Sequence, residues 1–161
     1  KFKRPLIERM VTVTGNGVEN PQNFLVRLGT PIQQLLEEAR VKVNINKVIF
    51  GGPMMGIAQG NIESAVTIKG TGGILVLTDA QKWESHACIR CGRCIDSCPY
   101  GLNPSELSIL CEAKEFNLAL DNNVMECKEC GCCSYICPAK RPIVHLIKFA
   151  KADIAKRKAK A

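Results

Sequence analysis

Two copies of one cysteine spacing constrain this chain of 161 residues more than any other feature. Cys88, Cys91, Cys94 and Cys98 follow the pattern C-x2-C-x2-C-x3-C, and Pro99 comes next. Cys127, Cys130, Cys133 and Cys137 repeat it, and Pro138 comes next. This is the bacterial ligand run for paired [4Fe–4S] clusters, in which the fourth cysteine of each run serves the other run's cluster. The expected partition is Cys88, Cys91, Cys94 and Cys137 for one cluster, and Cys127, Cys130, Cys133 and Cys98 for the second.

The chemistry explains the residue types. Iron–sulfur cores take soft thiolate donors. Three cysteines spaced by three residues reach three corners of a cube, and the fourth corner is supplied from a distance. Gly92 and Gly131 follow the second cysteine of each run, where a missing side chain lets the backbone approach an inorganic core. Ile89, Ile95 and Ile136 are expected to give apolar cover. Pro99 and Pro138 fix the turn after each fourth ligand. Structural zinc also uses CxxC pairs, but it draws four ligands from two knuckles rather than from two quartets each ending in Cys-Pro. Disulfides belong to oxidising compartments, and no secretory signal is evident.

Two cysteines fall outside the frames. Cys132 adjoins Cys133, and using it instead would break the x3 spacing to Cys137, so it reads as a bystander. Cys111 shares a helical apolar stripe with Leu107, Leu110 and Leu118, which marks a buried structural thiol. His86 and His145 read as flanking polar residues. No Ser/His/Asp triad, carboxylate pair or hydrolase motif stands out, and neither Gly51–Gly56 nor Gly70–Gly73 is a P-loop or dinucleotide fingerprint.

Charge is unevenly placed. Residues 1–80 carry nine Lys/Arg against six Asp/Glu, residues 81–138 five against eight, and residues 139–161 eight against one. The net +7 counts cysteines as neutral. Eight ligating thiolates and two oxidised cores of about +2 each would remove about four charges. Nucleic acid is therefore not an expected partner. The basic tail (Lys156, Arg157, Lys158, Lys160) is either a solvated helix end favoured by the helix dipole or a contact for anionic lipid or an acidic partner. No apolar run approaches the roughly 20 residues of a membrane-spanning helix.

The pattern predicts an α+β chain with domains at 1–79 and 80–150 and a basic helix end or tail at 151–161. Strands are expected at 10–14, 24–28, 45–50, 66–68 and 74–77. A helix is expected from Thr30-Pro31 to Arg40, with Thr30 and Gln33 forming a capping box and Ile32, Leu35, Leu36 and Ala39 facing the core. That order suggests a β-grasp sheet folded over one helix. The second domain reads as α-helical: one helix from Asn103-Pro104 to about Leu118, a turn at Asp121-Asn122-Asn123, and a last helix opened by Arg141-Pro142 with the stripe Ile143, Leu146, Ile147, Ala150 and Ile154.

Four segments together carry a resemblance: Pro5-Leu6-Ile7-Glu8-Arg9, Gly51-Gly52-Pro53-Met54-Met55-Gly56, Cys88-Ile89-Arg90-Cys91-Gly92-Arg93-Cys94, and the stretch from Glu129 to Pro138. They resemble the C subunit of the Rnf electron-transport complex over nearly the whole chain. The resemblance implies a soluble-ligand-binding-like (SLBB-like) β-grasp domain followed by a dicluster ferredoxin-like domain, and a peripheral protein on the cytoplasmic face of a bacterial cell membrane. It implies partners in the membrane subunits and other subunits of the complex, which couples electron transfer between ferredoxin and NAD to sodium or proton translocation. FMN and NAD are expected only on a flavin- and NADH-binding domain that precedes these two in the family, so this chain looks like the C-terminal portion. Electron relay through the clusters is the leading function. The alternatives are the related cobalamin-reductase subunit of bacterial microcompartments, a structural zinc module, and a ligand-binding scaffold with degenerate clusters.

Overall fold

A computed structural model describes residues 5–80 and 83–159. The chain divides into two compact units, Lys1–Gln81 and Lys82–Ala161.

The first unit is a five-stranded mixed sheet over one helix. Its elements are β1 (Glu8–Thr14), β2 (Gln22–Arg27), α1 (Ile32–Glu38), β3 (Lys47–Phe50), β4 (Ile57–Ala58) and β5 (Gly73–Leu77). The strand order is β2-β1-β5-β3-β4. β1 and β5 run parallel, and the other neighbours are antiparallel. This is the β-grasp arrangement. Alternation along the strands sends Val11, Val13, Val26, Val48, Ile74 and Val76 to one face, where they bury against Ile32, Leu35, Leu36 and Ala39 of α1. Gly15 turns the chain after β1 at φ +123°, and a Cβ there would lie 2.0 Å from the Val76 carbonyl oxygen, so no other residue fits.

Three expectations for this unit are corrected. The capping box does not form. The N–H of Ile32 donates instead to the Ala65 carbonyl at 3.0 Å, and the Thr30 hydroxyl donates back to the Arg27 carbonyl at 2.8 Å. With that helix end satisfied by a distant backbone, the side-chain cap has no role. The helix stops at Glu38 rather than Arg40, because Arg40 takes φ 52° and Val41 N donates to the Leu36 carbonyl, a left-handed C-terminal closure. Residues 66–68 are not a strand. Val66 makes a single bridge with Pro31, and buried Thr67 ties the segment down by donating its hydroxyl to the Arg27 carbonyl at 2.9 Å. The strand that sequence patterning missed is β4, which returns through Gly51–Gly56 to pair with β3. A Cβ on Gly56 would come within 2.4 Å of the Gly52 carbonyl oxygen, so this glycine-rich element serves as a hairpin turn.

The second unit is helical: α2 (Arg93–Asp96), α3 (Pro104–Glu112), α4 (Phe116–Asp121), α5 (Cys132–Ile136) and α6 (Ile143–Lys158), with a 3-10 turn at Val124–Glu126. Leu107 and Cys111 of α3 pack with Phe116, Ala119 and Val124 and with Ile143, Ile147, Ala150 and Ile154 of α6. Asn103 caps α3 as expected, accepting from the Glu106 N–H at 3.2 Å, with Pro104 in the first turn. The single helix expected to reach Leu118 is two. Lys114 takes φ 61° and Glu115 N donates to the Leu110 carbonyl, so the chain turns before α4. Leu118 consequently leaves the Cys111 stripe and is about half exposed, whereas Cys111 itself is buried. α6 runs on through Lys156, Arg157 and Lys158; Lys160 lies outside the described residues.

Candidate metal centres

The two cysteine runs fold alike. In each, the residue before the second cysteine is left-handed (Arg90 φ 54°, Glu129 φ 58°), and so is the glycine after it (Gly92 φ 77°, Gly131 φ 88°). Each glycine starts a short helix, α2 or α5, whose second residue is the third cysteine. After the fourth cysteine a third left-handed residue turns the chain, Gly101 in one run and Lys140 in the other, with its N–H donating to that cysteine's carbonyl at 3.2 Å. These positions correspond at the spacing that separates Cys88 from Cys127. Arg90, Glu129 and Lys140 were missed in the sequence because nothing in an isolated charged residue announces a positive φ. The left-handed backbone at Gly92 and Gly131 is one that glycine adopts without strain.

This repeat forms two hollows, each lined by cysteines of both runs. Cys88, Cys91, Cys94 and Cys137 line the first. Cys98, Cys127, Cys130 and Cys133 line the second. Each hollow thus gathers three cysteines of one run and the fourth of the other. Cys132 also lines the second hollow, beside Cys130, which sequence spacing did not anticipate. Among the described residues no three His, Cys, Asp or Glu side chains close around a single-ion point. The thiols stand around a space instead.

Burial sets the thiol chemistry. It raises the pKa of Cys94 and Cys127, and pushes Cys133 from 9.0 up to about 11. For Cys94 a hydrogen bond with the Ser105 side chain works against burial, and for Cys127 the Glu129 N–H at 3.4 Å does. Thiolates in these hollows therefore need a cationic core to hold them, and ligation must release protons. Four soft donors gathered at each hollow fit a [4Fe–4S] core.

The surrounding shell differs from expectation. Ile89, Ile95 and Ile136 are exposed rather than buried. Ile89 nevertheless lines the first hollow, as expected, and further apolar walls come from α3 and α6: Ile143 on the first hollow, and Leu107, Val144 and Ile147 on the second. Two links fasten the second run to α6. The Ser134 hydroxyl accepts from the Val144 N–H at 3.0 Å. Lys151 Nζ donates to the Cys127 carbonyl at 2.9 Å and to Glu129 Oε1 at 2.6 Å. His86 and His145 are exposed and line neither hollow.

Comparison with known proteins agrees with both units. A family model for the SLBB domain matches residues 10–58, and one for a 4Fe-4S binding domain matches residues 82–103. The C subunit of the proton-translocating ferredoxin:NAD(+) oxidoreductase complex of Clostridium ljungdahlii is 43% identical over 92% of this chain and 33% of its own length. Its counterpart in the Na(+)-translocating complex of Acetobacterium woodii is 40% identical over 97% of this chain and 36% of its own. The chain is a homologue of part of the C subunits of ion-translocating oxidoreductase complexes. A further relative, the C subunit of the ion-translocating oxidoreductase complex of Rhodobacter capsulatus, is 40% identical over 99% of this chain and 31% of its own length. The chain thus spans about a third of the length of these curated relatives. Its two units are an SLBB-type β-grasp and a ferredoxin-like domain. Among the described residues no helix is long and apolar enough to cross a membrane.

Proposed function

We propose that this chain relays electrons within an ion-translocating ferredoxin:NAD oxidoreductase complex of the Rnf type, and that it does so with two [4Fe–4S] clusters. Cys88, Cys91, Cys94 and Cys137 hold one, and Cys127, Cys130, Cys133 and Cys98 hold the other. A bound cluster takes up and gives back one electron at a time. The chain's own residues supply the rest. The left-handed turns at Arg90 and Glu129 present successive thiols to one hollow, α3 and α6 keep water from the inner walls, and Ser134 and Lys151 pin the second run to α6. Cys132 takes no part as a ligand. The other subunits of the complex are the partners, and the flavin and nicotinamide sites belong to parts of the protein beyond this segment. The setting is the cytoplasmic face of the cell membrane, with the chain peripheral.

The interleaving of the two thiol sets around separate hollows carries this reading, because it is the grouping that the spacing demands of a cluster pair. Protein prepared without oxygen should be brown, with about eight iron and eight acid-labile sulfide per chain, and should give EPR signals on reduction. A colourless protein that holds zinc without sulfide, or that cannot be reconstituted into a reducible species, overturns it.

A further inference from the structure

The two hollows each gather four candidate ligand thiols and differ in their polar lining. The second is walled mostly by apolar groups, among them Leu102, Leu107 and Ile147. Arg141 forms part of the wall of the first. Arg141 and Leu102 correspond across the internal repeat, each four residues past the fourth cysteine of its run. One position of the repeat therefore puts a cation beside one hollow and a hydrocarbon beside the other.

Arg141 is placed for a purpose that its ion pair does not exhaust. Its side chain is only 8% exposed, and its Nη2 meets Glu112 Oε2 at 2.6 Å. Its Nε is buried and has no hydrogen-bond partner among the described residues. A buried donor on a charged group left unpaired is strongly unfavourable, so such an atom implies an acceptor that arrives from outside the polypeptide. The hollow beside it is where sulfur acceptors would sit.

We infer that the Nε–H of Arg141 donates a hydrogen bond to a sulfur of the cluster held by Cys88, Cys91, Cys94 and Cys137, and that this makes that cluster the higher-potential member of the pair. The inference rests on the cluster-binding reading above. Hydrogen bonds to sulfur and nearby positive charge favour the more negative, reduced core. On the second hollow Leu102 offers no donor. Lys128, which does line it, faces solvent beside Glu126, and Lys151 is engaged with the Cys127 carbonyl and Glu129. A single electron added to the pair rests on the first cluster.

The test is an EPR-monitored redox titration of anaerobic wild-type, Arg141→Lys and Glu112→Gln proteins, each assayed first for iron and sulfide. Lysine keeps the charge and reach toward Glu112 but removes Nε–H. Arg141→Lys should retain full iron and lower the higher of the two midpoints, with the reduced-to-oxidised ratio at fixed potential falling about tenfold, which is about 59 mV for a one-electron couple; a fall in the lower midpoint alone overturns the inference. The other midpoint stays in place. Glu112→Gln, which loses the ion pair and keeps Nε–H, should not lower either midpoint. Superimposable titrations of wild type and Arg141→Lys overturn the inference, as do equal downward shifts in both variants, which would make the pair merely structural. A wild-type protein without iron and sulfide defeats the parent reading instead, and that is seen before any titration. Should Arg141→Lys fail to load, Arg90→Lys protein labelled with guanidino-¹⁵N arginine decides, since Arg90 is the other arginine on that wall. Pulsed EPR of the reduced protein should detect a weakly coupled ¹⁵N, and its absence overturns the inference.

Discussion

At the scale of single residues, two cysteines in this chain are equally conspicuous and chemically opposite. Cys98 lies in the first run yet lines the hollow of the second. Replacing it by alanine should therefore cost the cluster of Cys127, Cys130 and Cys133, taking iron from about eight to about four per chain, while Cys132→Ser leaves the count unchanged. Loss of the Cys88 cluster from Cys98→Ala, or of half the iron from Cys132→Ser, would redraw the ligand sets. Cys111 lines neither hollow. It is 1% exposed among Leu107 and the α6 side chains, and burial pushes its pKa from 9.0 up to about 11. Because the folded value is the higher one, Cys111 leaves stability untouched below about pH 9, where both states keep the proton. Above that the unfolded chain ionises and the folded one does not, so stability declines through about pH 11 by about 1.4 kcal/mol per pH unit. Denaturant titrations over this range should show a shallower decline for Cys111→Ala than for the parent, and parallel slopes would refute the account.

Among the elements, α6 does more than close the core. Its first turn lacks a side-chain cap of its own, since Pro142 stands at its start. The missing acceptor comes from Ser134 on α5, ten residues earlier, and Val144, whose N–H it receives, is buried. Ser134→Ala strands that N–H, so it should destabilise the ferredoxin-like unit by about 1 to 3 kcal/mol, measured as a lower denaturant midpoint with iron content preserved. A variant as stable as the parent would mean that water replaces the hydroxyl. α1 presents the converse case. Its sequence advertises a capping box, yet the Ala65 carbonyl occupies the N–H of Ile32. Helix ends need partners, and the partner of lowest cost is supplied by whichever segment tertiary packing brings near.

Over the whole molecule, the two units draw their stability from different sources. The β-grasp unit buries a continuous apolar layer between sheet and helix. The second unit counts Cys94, Cys133 and Cys137 in its buried core, and it surrounds two hollows with elements of four and five residues at α2 and α5. Helices so short do not persist without what they are built around. Stripping iron by chelation under oxygen should therefore abolish hydrogen-exchange protection across residues 83–159 and leave β1, β5 and α1 protected. Equal loss in both units, or none in either, would contradict separate supports. The distribution of charge follows the same division: the acidic excess at 81–138 would deepen by about four charges when eight thiolates hold two cores of about +2 each.

Spacing along the chain was enough to name eight candidate ligands and to propose two sets, because short reach groups the first three thiols of each run and the run pattern assigns the fourth to the opposite one. Period was enough for β1, β3, β5, α1 and α6, whose apolar residues recur at two or at 3.6 and so fill one face. What a segment does when its hydrogen bonds are satisfied from far away was not legible. The loss of a strand at 66–68 depends on partners distant in sequence, Pro31 and Arg27. The same holds for Arg141. As a letter after the second run it is one basic residue among many, and only tertiary packing buries its guanidinium, pairs one end with Glu112, leaves Nε without a partner and brings the residue to the wall of a hollow.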